Sequence, residues 1–297
     1  MTMHTIGIDI GGTQLRAAVL DEHYRIIDTF KTNNDRSRSC TENCDQLISF
    51  IRSRKEPLSG IGIGAPGPLN MKTGTILNPP NLVGWDNFPI ADYFEKQTGL
   101  PAVLNNDANV AGLAEALLGN GKGYESVCFM GLSTGLGGAY VYRGQLVNGA
   151  NGNAAEWWNM VVNDDPYGHK SANPGSLNEQ AAGSGLKAAA SRIYGREVST
   201  KELFDLYYAN DETAVQIFEK ATDVLARGIA NITCVIDPDV IIVGGSVAIF
   251  NPVYVEAAAK KAKTYMNFPE SLHIEPARFG DDAGLIGAAL LVNTAGQ

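Results

Sequence analysis

The chain of 297 residues is 44% hydrophobic and 19% charged, with a formal charge of −9, which gives enough apolar material for a large core and enough length for two lobes. The acidic balance excludes a protein whose business is the nucleic-acid backbone, since that work needs clustered Lys and Arg. No apolar run reaches transmembrane length and a core strand begins by residue 5, so no membrane partner and no signal peptide are expected, and the default location is the cytoplasm.

Apolar alternation predicts strands over 5–10, 15–20 and 25–32, then an amphipathic helix over 41–53 and a strand over 60–65. An irregular stretch rich in Pro, Gly and Asn runs from 66 to 89. A helix over 90–98, a strand over 102–105 and an Ala- and Leu-rich helix over 107–118 follow, ending in a glycine-heavy break at 119–123. A second strand cluster begins at Ser126. Past Asn173 the pattern is mostly helical, with one long helix over 213–236 whose apolar face either fills the core or serves a dimer, the core being favoured. A fully apolar strand over 240–243 runs into Gly244-Gly245-Ser246, a short strand closes at Glu275, and a small-residue helix starts at Ala283. The glycine break sets the expected boundary: a small N-terminal lobe over 1–118, with the terminal helix 283–297 packing on it, and a large lobe over 119–282. Of four scattered cysteines, Cys40, Cys44, Cys128 and Cys234, the last two lie in apolar runs where Cys acts as a small hydrophobe, and no disulfide framework is expected.

One pattern occurs twice. An apolar strand enters a Gly/Thr turn and returns as another apolar strand, over 5–20 and again over 127–142. Each turn offers successive backbone N–H groups and a Thr hydroxyl, Thr13 or Thr134, which suits polyphosphate oxygens. For one copy alone a plain hairpin turn is an equal reading. Asp9 shifts the balance, because a carboxylate at the end of a buried strand is costly unless it orders Mg²⁺ waters or phosphate-bound groups. There is no GxxxxGK[ST], which excludes a P-loop. Gly62, Gly64 and Gly67 match GxGxxG, but Pro68, Gly74, Pro79 and Pro80 break the helix that a dinucleotide-binding turn requires.

DIGGT at 9–13, GAPGP at 64–68, NNDAN at 105–109, STGLGGA at 133–139 and VGGSV at 243–247 stand in the order seen in ROK-family sugar kinases. The chain resembles that family over essentially its whole length. The resemblance implies an α/β, two-lobed actin-like ATPase (ribonuclease H-like) fold with a cleft between lobes, in the actin/hexokinase/Hsp70-like superfamily. It implies that Gly11, Gly12 and Thr13 form one phosphate turn and that Thr134, Gly135 and Gly137 form the other, gripping ATP from opposite sides. Gly244 and Gly245 would lie beside adenosine and Asp9 would hold Mg²⁺ through water. The sugar would be contacted by Gly67, Asn106, Asp107 and Glu156. A sugar hydroxyl is a poor nucleophile at neutral pH, so a carboxylate must orient it and accept its proton, and Asp107 is the residue expected to do so. The competing reading of Asp107 is a helix N-cap. A homodimer is expected from the resemblance.

Many members carry a Glu-x-Gly-His segment and then CxCGxxGCxE, whose His and three Cys bind structural zinc. Here Glu156 matches, Asn159 stands at the His position, and no Cys occurs between Cys128 and Cys234, so no structural zinc is expected. His169 reads as a surface imidazole. Trp157 and Trp158 are candidates to order the loop instead, one in the core and one walling the sugar, or both simply buried. Asn178 stands where the family has a sugar-binding Glu, with Glu179 one residue later, and either is a candidate contact. The SLNE segment without zinc cysteines also looks like the β-glucoside kinases of the family. The implied site is relaxed at C1 or C2, for glucose, an N-acyl hexosamine such as N-acetylmannosamine, or the 6-hydroxyl of a β-glucoside. Gln14, where relatives often have Lys or Asn, adjoins the nucleotide turn. Two other readings are a sugar-responsive repressor of the same family, which needs an added helix-turn-helix domain that the early Asp9 leaves no room for, and a sugar-binding sensor without turnover, against which Asp9, Thr13, Asp107 and Thr134 speak.

Overall fold

The computed structural model describes residues 3–166 and 173–294. In chain order the elements are β1 (His4–Ile10), β2 (Gln14–Leu20), β3 (Ile26–Asn33), α1 (Cys40–Arg52), β4 (Leu58–Ala65), β5 (Leu69–Asn70), β6 (Thr75–Ile76), α2 (Ile90–Thr98), β7 (Ala102–Asn106) and α3 (Asp107–Leu117). They continue with β8 (Ser126–Leu132), β9 (Leu136–Tyr142), β10 (Gln145–Leu146), α4 (Leu177–Ala181), α5 (Gly183–Tyr194), α6 (Thr200–Tyr208) and α7 (Glu212–Ile236). β11 (Val240–Gly244), α8 (Ser246–Phe250), α9 (Pro252–Ala262), β12 (Ile274–Pro276) and α10 (Ala283–Thr294) complete the chain. Two compact units result: Met1–Gly119 with Gly144–Ala154 and Phe279–Gln297, and Asn120–Arg143 with Ala155–Arg278. Residues 144–154, placed in the large lobe from sequence, belong to the first unit.

In the first unit the sheet order is β3-β2-β1-β4-β7, with β1 antiparallel to β2 and parallel to β4, and β4 parallel to β7. The period-two alternation of β1 divides its side chains between two faces. Ile6, Ile8 and Ile10 cluster with Ile61 and Ile63 of β4, with Leu47, Ile48 and Ile51 of α1 and with Phe94 of α2. The opposite face carries glycine, and α10 lies directly on it: a Cβ on Gly62 would stand 1.6 Å from the Ala288 carbonyl oxygen, and one on Gly7 2.0 Å from that of Leu285. Asp9 shares the Gly7 face, which brings its carboxylate next to the first turn of α10, where a Cβ on Gly284 would be 3.6 Å away. α1 starts with a full capping box, Ser39 and Glu42 bonding each other's backbone N–H.

The second unit repeats the plan. Its main strands lie in the order β9-β8-β11-β12, with β8 antiparallel to β9 and parallel to β11. Its core joins Cys128, Met130 and Leu132 of β8 to Leu177 of α4, Leu186 of α5 and Ile217, Phe218, Ala221, Val224 and Leu225 of α7. The apolar face of α7 therefore fills the core. Burial pushes the Cys128 thiol up to about 12, the behaviour of an inert hydrophobe. Cys234 departs from its expectation: it is exposed, because α7 buries Ile232 and Thr233 and its helical period turns 234 and 235 outward. Among the described residues no helix is long and apolar enough to cross a membrane.

The glycine face makes a stability prediction. Gly62→Ala forces α10 off the sheet and is expected to cost about 3 kcal/mol, the upper end of the usual overpacking range. A clearly lower urea midpoint in circular dichroism is the expected result, and an unchanged midpoint would show that α10 does not need this contact.

Candidate active site

Where β1 ends, the chain reverses through Gly11, Gly12 and Thr13. The Gly11 N–H donates to the Gln14 carbonyl at 2.8 Å, closing the turn. Asn34, at the end of β3, holds the turn from outside: its N–H donates to the Thr13 carbonyl (2.9 Å) and its side-chain amide to the Gly11 carbonyl (2.9 Å). A Cβ on Gly12 would stand 2.8 Å from the Asn81 carbonyl oxygen, so a side chain there meets fixed backbone. Asp9 sits one strand position before the turn and directly opposite Arg16 on β2. Arg16 donates to Asp9 Oδ2 from Nε (3.0 Å) and Nη2 (2.6 Å), and Nη2 also reaches the Asp281 carbonyl (2.8 Å).

The parallel register carries the site sideways along the sheet. Asp9 pairs with Gly64, and Gly64 with Asn105, so the carboxyl ends of β1, β4 and β7 converge, the usual place for a ligand in an open α/β sheet. Asn106 caps α3, its Oδ1 accepting from the N–H groups of Ala108 (2.9 Å) and Asn109 (3.4 Å). The cap is thus Asn106 rather than Asp107, because helical geometry starts at Asp107 and the residue before it is extended. Asp107 is exposed in the first turn of α3, where the macrodipole favours negative charge. Asn106 Nδ2 lies 3.7 Å from where a Cβ of Gly67 would stand, which places Gly67, Asn106 and Asp107 together.

In the second unit the turn between β8 and β9 is closed by the Ser133 N–H donating to the Gly135 carbonyl (2.8 Å). The N–H groups of Gly183 and Ser184, at the start of α5, donate to the carbonyls of Ser133 and Thr134 at 2.9 and 2.8 Å. Thr134 and Gly135 are exposed and Gly137 partly so. Gly244 ends β11 alongside and Gly245 follows it, leading into α8. Gly245 has φ +87°, and a Cβ there would lie 2.4 Å from the Leu132 carbonyl oxygen, so the approach and the conformation both require glycine. The Ser246 N–H donates to Ser133 Oγ (3.1 Å), joining the two loops.

Asn178 and Glu179 are both buried, at 8% and 7% exposure. Asn178 Oδ1 accepts from the Leu136 N–H (2.9 Å) and its Nδ2 donates to Glu179 Oε1 (3.1 Å), so one side chain ties the glycine turn to the carboxylate. Glu156 is exposed and accepts from the Trp158 indole N–H. The Trp157 indole N–H donates to the Phe129 carbonyl (3.1 Å), and both Trp rings are half-buried and pack on the core of this unit. Asn159 Oδ1 accepts from the Asn173 side-chain amide at 3.0 Å. His169 lies outside the described residues.

A family model described as "ROK family" matches residues 5–295. The chain belongs to the ROK family. It is 32% identical to the N-acetylmannosamine kinase of Shigella boydii, over 97% of this chain and 98% of that protein. The ROK hexokinase structure from Thermus thermophilus superposes with a TM-score of 0.90 at 33% identity, covering 97% of both chains. A ROK-family glucokinase from Streptomyces griseus, solved with glucose and AMPPNP, gives a TM-score of 0.79 at 29% identity, covering 97% of this chain and 98% of that one. The fold is α/β of the actin-like ATPase type shared by these ROK kinases.

Two residues outside the sequence motifs, Arg16 and Asn34, brace this candidate site, and the buried Asn105, which opens the NNDAN motif, has no role of its own in the sequence reading. Asn105 Nδ2 donates to Asn148 Oδ1 (3.1 Å) and its Oδ1 accepts from Asn109 Nδ2 (2.9 Å), fixing the strand end that carries Asn106. Arg16 was the most legible, since Asp9 and Arg16 are equidistant from the centre of the turn. Removing a partner from a buried amide leaves the other group unsatisfied at about 1–3 kcal/mol. Asn178→Leu strips two partners at once and is expected to lower stability by roughly that amount, measured as the urea midpoint. A variant as stable as the parent would show that this bridge does no structural work.

Proposed function

We propose that the protein is an ATP-dependent carbohydrate kinase that transfers the γ-phosphate to the 6-hydroxyl of a hexose-type sugar: glucose, an N-acyl hexosamine such as N-acetylmannosamine, or a β-glucoside. The observation that carries the reading is the exposed Asp107 carboxylate, set beside Asn106 and Gly67 at the strand ends that also present Asp9 and the first glycine turn. In this reading Asp107 accepts the proton of the 6-hydroxyl as that oxygen attacks phosphorus. The bond from phosphorus to the bridging oxygen breaks, and the electron pair leaves with ADP. Asn106 has its Oδ1 committed to the helix cap, which leaves its Nδ2 to donate to the sugar. In this reading the turns at 11–13 and 134–137 receive phosphate oxygens through amides other than those of Gly11 and Leu136, which donate to the Gln14 carbonyl and to Asn178 Oδ1, and Gly244 and Gly245 give adenosine room for close approach.

Asp9 fits a magnesium ion held mainly by water and phosphate. One carboxylate is sufficient for such an ion, and no group of three or more metal-ligating side chains exists among the described residues. When bound, the ion neutralises charge on the phosphates. Arg16 keeps the Asp9 carboxylate aimed by holding Oδ2. On the sugar side Glu156, Asn159, Asn178 and Glu179 are the proposed contacts or their immediate supports. The relatives named above, an N-acetylmannosamine kinase and a glucokinase, support glucose and the N-acyl hexosamine; the β-glucoside rests on the SLNE resemblance alone.

The test is coupled ADP release with Mg-ATP against glucose, N-acetylmannosamine, N-acetylglucosamine, glucosamine, fructose and cellobiose, for the native chain and Asp107→Asn. Sugar-dependent turnover is expected, falling by ~10²–10⁴ in the variant as for loss of a general base. Turnover that survives the substitution would remove Asp107 from the chemistry. Sugar binding without any turnover would make the protein a sensor.

A further inference from the structure

The segment between Asn159 and α4 has to be held in place, because Asn159 stands at one end of it and Glu179 lies just past the other. Its two arms pair through an antiparallel bridge between Val161 and Ser176. The Val162 N–H donates to the Gly175 carbonyl (2.9 Å) and the Leu177 N–H to the Met160 carbonyl (2.8 Å). Gly175 has φ +75°, and a Cβ there would lie 2.1 Å from the Asn163 carbonyl oxygen, so the arms touch backbone to backbone. Met160 and Val162 pack on the core. After Val162 the sequence turns polar, Asn163-Asp164-Asp165, and apolar packing can no longer fix the arm. Behind it is a cavity of about 150 Å³, bounded by Asp165, Glu179, Gln180 and Lys220 and by Ile217 and Val224 of α7.

Two polar contacts span this region. Asn163 and Gln180 form a reciprocal amide pair, Nδ2 to Oε1 at 2.9 Å and Nε2 to Oδ1 at 3.0 Å. Asn163 Oδ1 also accepts from the Asp165 N–H (3.1 Å), which turns the arm towards α7. There Asp165 Oδ2 accepts from Lys220 Nζ at 2.6 Å, and the Asp165 side chain is only 10% exposed while Lys220 is 64% exposed. An ion pair with one partner this shielded is worth more than an open surface pair. The amide pair joins the arm to α4, one residue from Glu179, and the ion pair joins it to α7.

We propose that Asn163–Gln180 and Asp165–Lys220 form a polar clasp whose role is to set the position of Asn159 and Glu179, so that Lys220 and Gln180 are positioning residues for the sugar. The inference rests on the kinase reading of the site. The clasp is expected to act on sugar affinity more than on the phosphate turns, because the Asn163–Gln180 and Asp165–Lys220 bonds lie on 163–180 and α7. Misplacement of a substrate contact by about 1 Å is enough to cost orders of magnitude.

The experiment compares the native chain with Lys220→Met, which keeps the stem and removes the charge, and Lys220→Arg, which restores it. Steady-state kinetics with the preferred sugar are combined with hydrogen exchange of the backbone amides. Lys220→Met is expected to raise KM for the sugar about tenfold, with kcat and KM for ATP within about twofold. The amides of Val162 and Leu177 are expected to exchange faster in that variant alone, with β8 unchanged, and Lys220→Arg is expected to behave as the native chain in both measurements. An unchanged sugar KM, or equal losses in kcat and both KM values, would overturn the positioning role. If the native chain turns over no sugar at all, the kinase reading fails separately; the exchange comparison still decides the clasp, and unchanged Val162 and Leu177 amides would refute it.

Discussion

Backbone N–H groups bind phosphate well only if they are held in place before the phosphate arrives, and the two glycine turns proposed to bind phosphate are both held by bonds to their carbonyls. A bare glycine turn is flexible, since glycine loses more conformational freedom on ordering than any other residue. Each turn is therefore secured through its own carbonyls. Asn34 takes two carbonyls of the first turn, those of Gly11 and Thr13, and the leading amides of α5 take two from the second. The same economy appears at Asn178, which spends its oxygen on the turn and its amide on Glu179.

Charge is handled by pairing at short range. Asp9 would be expensive to desolvate alone, and the antiparallel register sets Arg16 across from it, so the hairpin that makes the turn also supplies the countercharge. Asp107 is treated differently. Asn106 caps α3 through its Oδ1, while Asp107 stays exposed in the first turn with its Oδ1 accepting from the Ala108 N–H at 2.8 Å. That division between neighbouring residues makes a helix cap compatible with the role of proton acceptor proposed for Asp107.

Much of this was legible in the sequence because it is local. The strand ends, the glycine turns and the long α7 follow from periodicities of 2 and 3.6 and from glycine breaks. The competing reading of Asp107 as the helix cap is set aside because the cap is its neighbour Asn106, a residue type that caps equally well. Cys234 was misread because a run of apolar neighbours says nothing about which side of a helix a residue faces, and the helical period turns it outward. The bond from Asn105 to Asn148 crosses 43 positions of sequence, and nothing local marks it. The polar pairs at Asn163 and Asp165 were hidden for the same reason: their partners, Gln180 and Lys220, are brought near only by the packing of α4 and α7.

The measurement that bears most directly on this account is ³¹P NMR of the protein with Mg-ATP and a hexose such as glucose or N-acetylmannosamine. Loss of the γ-phosphate signal with growth of a sugar 6-phosphate ester is the expected result. Release of inorganic phosphate alone, or a phosphate ester at another hydroxyl, would contradict the assignment of Asp107 to the 6-hydroxyl.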